Sequence, residues 1–217
     1  MMAIDIDIAS HLGAVSRVVE DRVHDGQATR VVIASRAYDT DIEDLWDALT
    51  NTERLPRWFA PVEGELKPGG WFKVKNNAHG SITACDAPRS FSATWEFGPA
   101  VSWINVMLKP TKDGGTHLTL EHLCPPNDHW TKFGPGAVGV GWELGLLGLG
   151  MHMRSQAVRD TFDEHAFGVS DEGKGFVRAT GAGWIAADIA GGEDAAEATK
   201  RGQRTIHFYC GESFDHI

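Results

Sequence analysis

Hydrophobic and polar positions follow four regimes along the chain. From Ser16 to Arg36 two β-branched runs flank His24-Asp25-Gly26-Gln27, and Asp-Gly between such runs predicts a hairpin. The next segment changes period. Ile42, Leu45, Trp46 and Leu49 recur at helical spacing behind Thr40 or Asp41, either of which can cap the helix, with Glu43 and Asp44 in its first turn. Asn51 or Thr52 can cap a second, short helix that Pro56 bends or interrupts.

Between Val62 and Cys124 the period becomes two. GEL and WFKVKN flank a KPGG turn. HGSITACDAP and RSFSATWEFG meet at Pro88, and VSWINVMLKP and THLTLEHLCP are joined by TKDGG. Runs at this spacing, each bounded by Gly, Pro or Asp, predict an antiparallel meander. A loop from Pro125 to Pro135 then leads into an apolar helix that the pattern carries to about His165. Beyond Ser170 the chain is alanine-rich. Phe176, Thr180, Trp184 and Ala187 share one helical face, Gly191-Gly192 breaks the pattern, and a second helix fits Glu193 to Tyr209.

Composition narrows the function classes. A chain of 217 residues with 42% hydrophobic and 23% charged residues can bury a proper core. The formal net charge of −10 and the lack of a Lys/Arg cluster argue against nucleic acid and against an anionic membrane surface. No apolar run approaches the roughly 20 residues of a membrane span. The start MMAIDIDIAS is acidic and does not read as a signal peptide, so a cytoplasmic location is expected. Cys85, Cys124 and Cys210 are odd in number and far apart, which suits neither a disulfide framework nor a cysteine zinc site. His117, His122 and His129 are irregularly spaced and no HExxH occurs, so no metal is expected; no motif calls for a cofactor.

Four segments together carry a family resemblance: RAYDTDIEDLWDALTNTERLPRWFAPVEGELKPGGWFKV, GSITACDAPRSFSATWEF, VSWINVMLKPTKDGGTHLTLEH and GVGWELGLLGL. In order and spacing they resemble the activator of Hsp90 ATPase homologue 1-like (AHSA1-like) branch of the START/Bet v 1-like superfamily, also called SRPBCC proteins. The resemblance covers about residues 29–165, and the tail looks like extensions carried by bacterial relatives. It implies an α+β helix-grip fold, a curved antiparallel sheet wrapped around a long C-terminal helix with a cavity between them. The expected organisation is an N-terminal extension over 1–28 that adds a strand to the sheet, a helix-grip domain over 29–168, and a C-terminal helical hairpin over 169–217. The superfamily contains carriers, receptors, cyclases and ring-hydroxylase subunits, so the fold alone assigns no chemistry.

The apolar helix poses its own question. Gly139 to Met153 holds five glycines, each costing roughly 1 kcal/mol against alanine. At about 100° per residue, Gly141, Gly145, Gly148 and His152 fall on one narrow face. Trp142, Leu146, Leu149 and Met153 lie on one flank, Leu144, Leu147 and Met151 on the other. Glu143, Gly150 and Arg154 sit opposite the glycines, where Glu143 reads as a solvated surface carboxylate. A stripe without side chains admits close approach. A strand of the sheet, a ligand in the cavity, or a partner helix (from a homodimer or from the tail) could make it. In the helix-grip arrangement the stripe is expected to look at the concave side of the sheet and to enlarge the cavity.

Candidate site residues follow. On the strand Thr116 to Leu123, Leu118, Leu120 and His122 share the inward face. Phe91, Ala93, Trp95 and Phe97 share a face of their strand, as do Trp103 and Asn105 on the next. Phe72, Trp95, Trp103 and Trp142 are candidate cavity walls, with Leu120, Gly145, Leu146 and Leu149, and Asn105 can orient the polar end of a ligand. His122 and His152 are the candidate proton carriers. The leading expectation is a protein that binds a hydrophobic or amphipathic small molecule. The alternatives are a cyclase, hydrolase or lyase working in the same cavity through His122 or His152, and a chaperone-linked stress-response interaction protein.

Overall fold

A computed structural model describes residues 8–154 and 164–217. Its centre is one antiparallel sheet of eight strands: β1 (Ser16–His24), β2 (Gln27–Tyr38), β3 (Val62–Gly64), β4 (Trp71–Val74), β5 (His79–Asp86), β6 (Ser90–Phe97), β7 (Ala100–Pro110) and β8 (Thr116–Cys124). The spatial order is β1-β2-β8-β7-β6-β5-β4-β3. The meander from β3 to β8 pairs neighbour with neighbour. The crossover is β2 onto β8, in register from Arg30 opposite Cys124 to Tyr38 opposite Thr116. The β1–β2 hairpin turns at Asp25 and Gly26, both with positive φ (49° and 78°), the type I′ geometry that an Asp-Gly pair provides.

The helices are α1 (Ile8–Ala14), α2 (Ile42–Thr50), α3 (Asp128–Phe133), α4 (Gly136–Arg154), α5 (Glu164–Val169), α6 (Asp171–Ala190) and α7 (Ala195–Tyr209), with a 3₁₀ turn at Leu55–Arg57. Asp41 caps α2 by accepting from the Asp44 N–H at 2.8 Å, and Asn127, Ser170 and Asp194 cap α3, α6 and α7. α1 and α3 were not expected, and α5 starts where the apolar helix was expected to end. α3 occupies the middle of the predicted loop before α4, because Asn127 supplies a cap to a segment only six residues long, and α1 precedes the hairpin. The expected run of α4 to His165 can be followed to Arg154; residues 155–163 lie outside the described ones.

The inner face of the sheet carries Val32, Ala34 and Tyr38 of β2, Leu118, Leu120 and His122 of β8, and Val106 and Leu108 of β7, all buried. α4 lies against it with Val140, Leu146 and Leu149 in the same core, and Tyr38 Oη donates to the Leu146 carbonyl at 3.3 Å. The tail packs on the main body. Phe176, Thr180, Trp184 and Ala187 are buried, and Asp188 accepts from Arg30 of β2 at 3.0 Å and from Arg201 of α7 at 2.9 Å.

Gly139 and Gly148 of α4 meet elements other than the sheet. A Cβ on Gly139 would lie 2.3 Å from Trp184 Cε2, so the indole of α6 is seated on bare helix backbone. A Cβ on Gly148 would lie 2.5 Å from the Trp58 carbonyl oxygen, which places main chain of the 3₁₀ segment against α4. Gly145 alone of these three is loosely surrounded, with Phe59 and Trp58 ring atoms at 3.8 and 4.0 Å. Of the stripe, Gly148 and Gly145 therefore look toward the Trp58–Phe59 segment, Gly145 also bordering the cavity, while a Cβ on Gly141 would lie 3.0 Å from Tyr209 Oη of α7; the flank carrying Leu146 and Leu149 takes the sheet.

Glu143 also departs from expectation. It does sit opposite Gly145, but that side of α4 is covered by β1, α1 and α6, and Glu143 has no exposed surface. Arg17 of β1 donates to both its oxygens, Nε to Oε1 at 2.7 Å and Nη2 to Oε2 at 2.5 Å. Burial pushes the carboxyl above the ordinary glutamate value and the Arg17 guanidinium opposes that push.

Candidate functional site

Between the sheet, α4, α2 and the 3₁₀ segment lies a cavity of about 320 Å³. The alternation of the strands builds most of its floor: Phe72 and Val74 of β4, Ile82 of β5, Phe91, Ala93 and Trp95 of β6, Ile104 and Val106 of β7, and Leu118 and Leu120 of β8. α4 contributes Trp142, Gly145 and Leu146 as the roof. Trp46, Leu49 and Thr50 of α2, with Leu55, Trp58 and Phe59 after it, close one side. The cavity reaches the surface beside exposed Cys85 and Ala87, where the Phe91 ring meets Trp46 edge-on at 6.0 Å.

No lining side chain is charged. Thr50 and Cys85 supply the polar atoms, apart from indole N–H groups. Two of those are committed within the protein: Trp58 Nε1 donates to the Ala48 carbonyl at 2.9 Å, and Trp142 Nε1 donates to His122 Nδ1 at 3.0 Å. The rings are ordered against one another. Trp142 lies at 5.0 Å from Trp95, tilted by 58°, and 6.3 Å from Phe59, almost parallel at 19°. The cavity thus offers faces and edges of aromatic rings and aliphatic surface, the lining typical of a small-molecule pocket.

Of the sequence candidates, Phe72, Trp95, Leu120, Trp142, Gly145 and Leu146 line this space. Trp103 and Asn105 do not. Ile104, Val106 and Leu108 take the inner face of β7, which turns residues 103 and 105 outward; Trp103 packs on His24 with ring centres 4.3 Å apart, and Asn105 donates to Glu121 Oε2 at 3.0 Å. Leu149 is wholly buried in the core cluster beyond the cavity. His152 is off the cavity as well. Its Nε2 lies 3.2–3.3 Å from the Arg54 guanidinium, which also holds Asp44 and Asp47 at 2.7 and 2.9 Å.

His122 points inward, as the alternation requires, but stands behind the aromatic wall. It is 3% exposed and burial pushes its pKa down to about 4. Its Nε2 is 2.8 Å from Ser102 Oγ, whose own hydrogen goes to the Trp95 carbonyl at 2.8 Å. An indole N–H only donates, so Nδ1 of His122 must be the acceptor. The Ser102 proton is already placed, so Nε2 must carry the other hydrogen and donate it. The imidazole is neutral with both nitrogens used, and neither is presented to the cavity as a free base. Among the cavity residues without a site assignment from sequence are the rings of Trp46, Trp58, Phe59 and Phe91, and Cys85. Trp46 was visible only as part of an apolar helix face, and Trp58-Phe59 only as the end of a PRWF motif.

The architecture is a helix-grip α+β fold with an apolar cavity under its long helix. The profile described as activator of Hsp90 ATPase homolog 1-like protein matches residues 39–149, more than half of the chain, and the chain belongs to that family. Among solved structures it is similar to CalU16 of Micromonospora echinospora. The crystal structure of that protein is 30% identical with a TM-score of 0.68, covering 80% of this chain and 98% of that one. Its solution structure is 29% identical with a TM-score of 0.67, covering 82% and 97%. EF2215 of Enterococcus faecalis shares the fold at 18% identity, with a TM-score of 0.60 and coverage of 86% and 96%. Comparison with curated proteins gave no match. Among the described residues no helix is long and apolar enough to cross a membrane, and no group of three His, Cys, Asp or Glu side chains is placed to hold a metal.

Proposed function

We propose that the chain binds a neutral, largely apolar small molecule with a flat aromatic or conjugated surface in the cavity beneath α4. The observation that carries the reading is a space of about 320 Å³, lined by aromatic and aliphatic side chains with no charged group and reaching the surface at one edge. That volume is within the range of small-molecule sites. Gly145 supports the same reading, since it is the α4 glycine at which the cavity, and not another element, takes the room of a side chain. Binding is favoured over catalysis in the same space, because His122 has both ring nitrogens engaged within the protein and His152 lies under Arg54.

The test is a titration with N-phenyl-1-naphthylamine, a neutral aromatic probe that brightens in apolar surroundings, alongside native mass spectrometry of the freshly purified protein. Saturable one-to-one binding to the natural chain, lost in Gly145→Leu with the circular dichroism spectrum intact, supports the reading. Equal binding by both proteins overturns it. A second reading, contact with a chaperone, follows from the family description. Capture of purified Hsp90 by a chain that takes up no probe would favour it.

A further inference from the structure

Resting on the ligand-binding reading, we propose that His122 is a positioning residue that selects ligands without hydrogen-bonding groups, by holding the Trp142 indole N–H turned away from the cavity. Four groups from three adjacent strands and α4 form a chain of hydrogen bonds with one direction. Trp142 Nε1–H donates to His122 Nδ1 (3.0 Å), His122 Nε2–H donates to Ser102 Oγ (2.8 Å), and Ser102 Oγ–H donates to the Trp95 carbonyl (2.8 Å). Each donor and acceptor in it is used, and the tautomer of His122 is determined from both ends at once.

The chain begins and ends on the two tryptophans that form one wall of the cavity, 5.0 Å apart. Its effect on the cavity is subtractive. An indole free to turn would offer its N–H to any carbonyl or hydroxyl oxygen that entered. Latched to His122, the Trp142 ring shows the cavity carbon surface, and Trp58 is latched likewise onto Ala48. A ligand carrying an acceptor would lose its water on entering and find the Trp142 and Trp58 N–H groups already taken, a penalty at those two places that a purely apolar ligand of the same shape does not meet.

Fluorene and 9-fluorenone are matched flat tricycles that differ by one carbonyl acceptor, and their affinities are compared by quenching of tryptophan fluorescence. The natural chain is expected to favour fluorene. In His122→Phe the indole loses its partner and turns to any acceptor in the cavity, so the ratio of affinities shifts toward fluorenone by about tenfold, the scale of one recovered buried hydrogen bond. His122→Gln keeps an acceptor and is expected to keep the natural ratio, and adding Trp142→Phe to His122→Phe is expected to abolish the shift. The proposal is overturned if the ratio is unchanged in a folded His122→Phe, or if the shift persists without the indole. A readout without ligand separates this from the binding reading. The Trp142 Nε1–H resonance is expected to exchange slowly with water in the natural chain and in His122→Gln, and rapidly in His122→Phe. Slow exchange with no fluorene bound by any variant sinks the ligand reading while the latch stands; equal exchange in all three sinks the latch.

Discussion

Arg17 grips both carboxylate oxygens of Glu143, at 2.7 and 2.5 Å, across 126 positions of the chain. The pair joins the edge strand β1 to the central helix α4, and His11 of α1 closes over it with Nε2 4.0 Å from Glu143 Oε2. A charge with no exposed surface is tolerated only with its counter-charge in place, so the pair ties the segment before residue 29 to the main body.

Removing one partner leaves the other buried and uncompensated. Arg17→Ala and Glu143→Ala are each expected to destabilise the fold by about 3–5 kcal/mol. The double variant Arg17→Met with Glu143→Leu is expected to lie near the natural chain, because both desolvation costs disappear together. Urea unfolding of the three variants checks this; a loss below about 0.5 kcal/mol in the single variants would show the pair to be energetically idle.

The glycines of α4 separate by the same measurement. Gly145→Ala is expected to raise stability by up to about 1 kcal/mol, since it gains helix propensity and its Cβ meets only ring atoms at 3.8 and 4.0 Å. Gly139→Ala is expected to lower stability despite the same gain in propensity, because its Cβ would lie 2.3 Å from Trp184 and force the indole off α4. Opposite signs in melting temperature are the expected outcome, and like signs would contradict the packing described.

Acid should weaken the fold through two imidazoles. Burial holds His122 at about 4, and burial with the adjoining Arg36 holds His11 at about 3. Imidazoles of the unfolded chain titrate near 6.5, so between about pH 6.5 and 4 the unfolded state takes up protons that the folded state refuses. Stability therefore falls as pH falls through that window, each histidine costing on the order of 2 kcal/mol at pH 5 relative to pH 7. Unfolding curves at the two pH values test this, and His122→Gln is expected to lessen the drop by about that amount. An undiminished drop would clear His122.

The three thiols should differ in reactivity. Cys85 is exposed at the mouth of the cavity, whereas Cys124 and Cys210 are buried and burial pushes the Cys124 thiol up to about 12. One thiol is expected to react rapidly with Ellman's reagent and two slowly. Saturating N-phenyl-1-naphthylamine is expected to slow the rapid one. Labelling of Cys85 that ignores the probe would place the probe away from this cavity.

Period and punctuation in the chain determined the elements. Asp25-Gly26 determined the first hairpin, the alternation from Val62 to Cys124 determined the meander, and Gly191-Gly192 divided the tail into two helices, because each depends on backbone preferences that neighbouring residues settle among themselves. The faces were a different matter. β7 is apolar on both sides, with Trp103 and Met107 alternating against Ile104 and Val106, so only pairing within the sheet could turn Asn105 outward to Glu121 and Ile104 inward to the cavity. The helical wheel correctly set Glu143 opposite Gly145. Whether that side met water depended on β1 and α6 arriving from over a hundred residues upstream and some forty downstream, and no local pattern encodes such an arrival. The cavity belongs to the same category. Its volume is what remains after sheet, helix and 3₁₀ segment have packed, and space left unfilled is a property of the assembled elements, written in none of them singly.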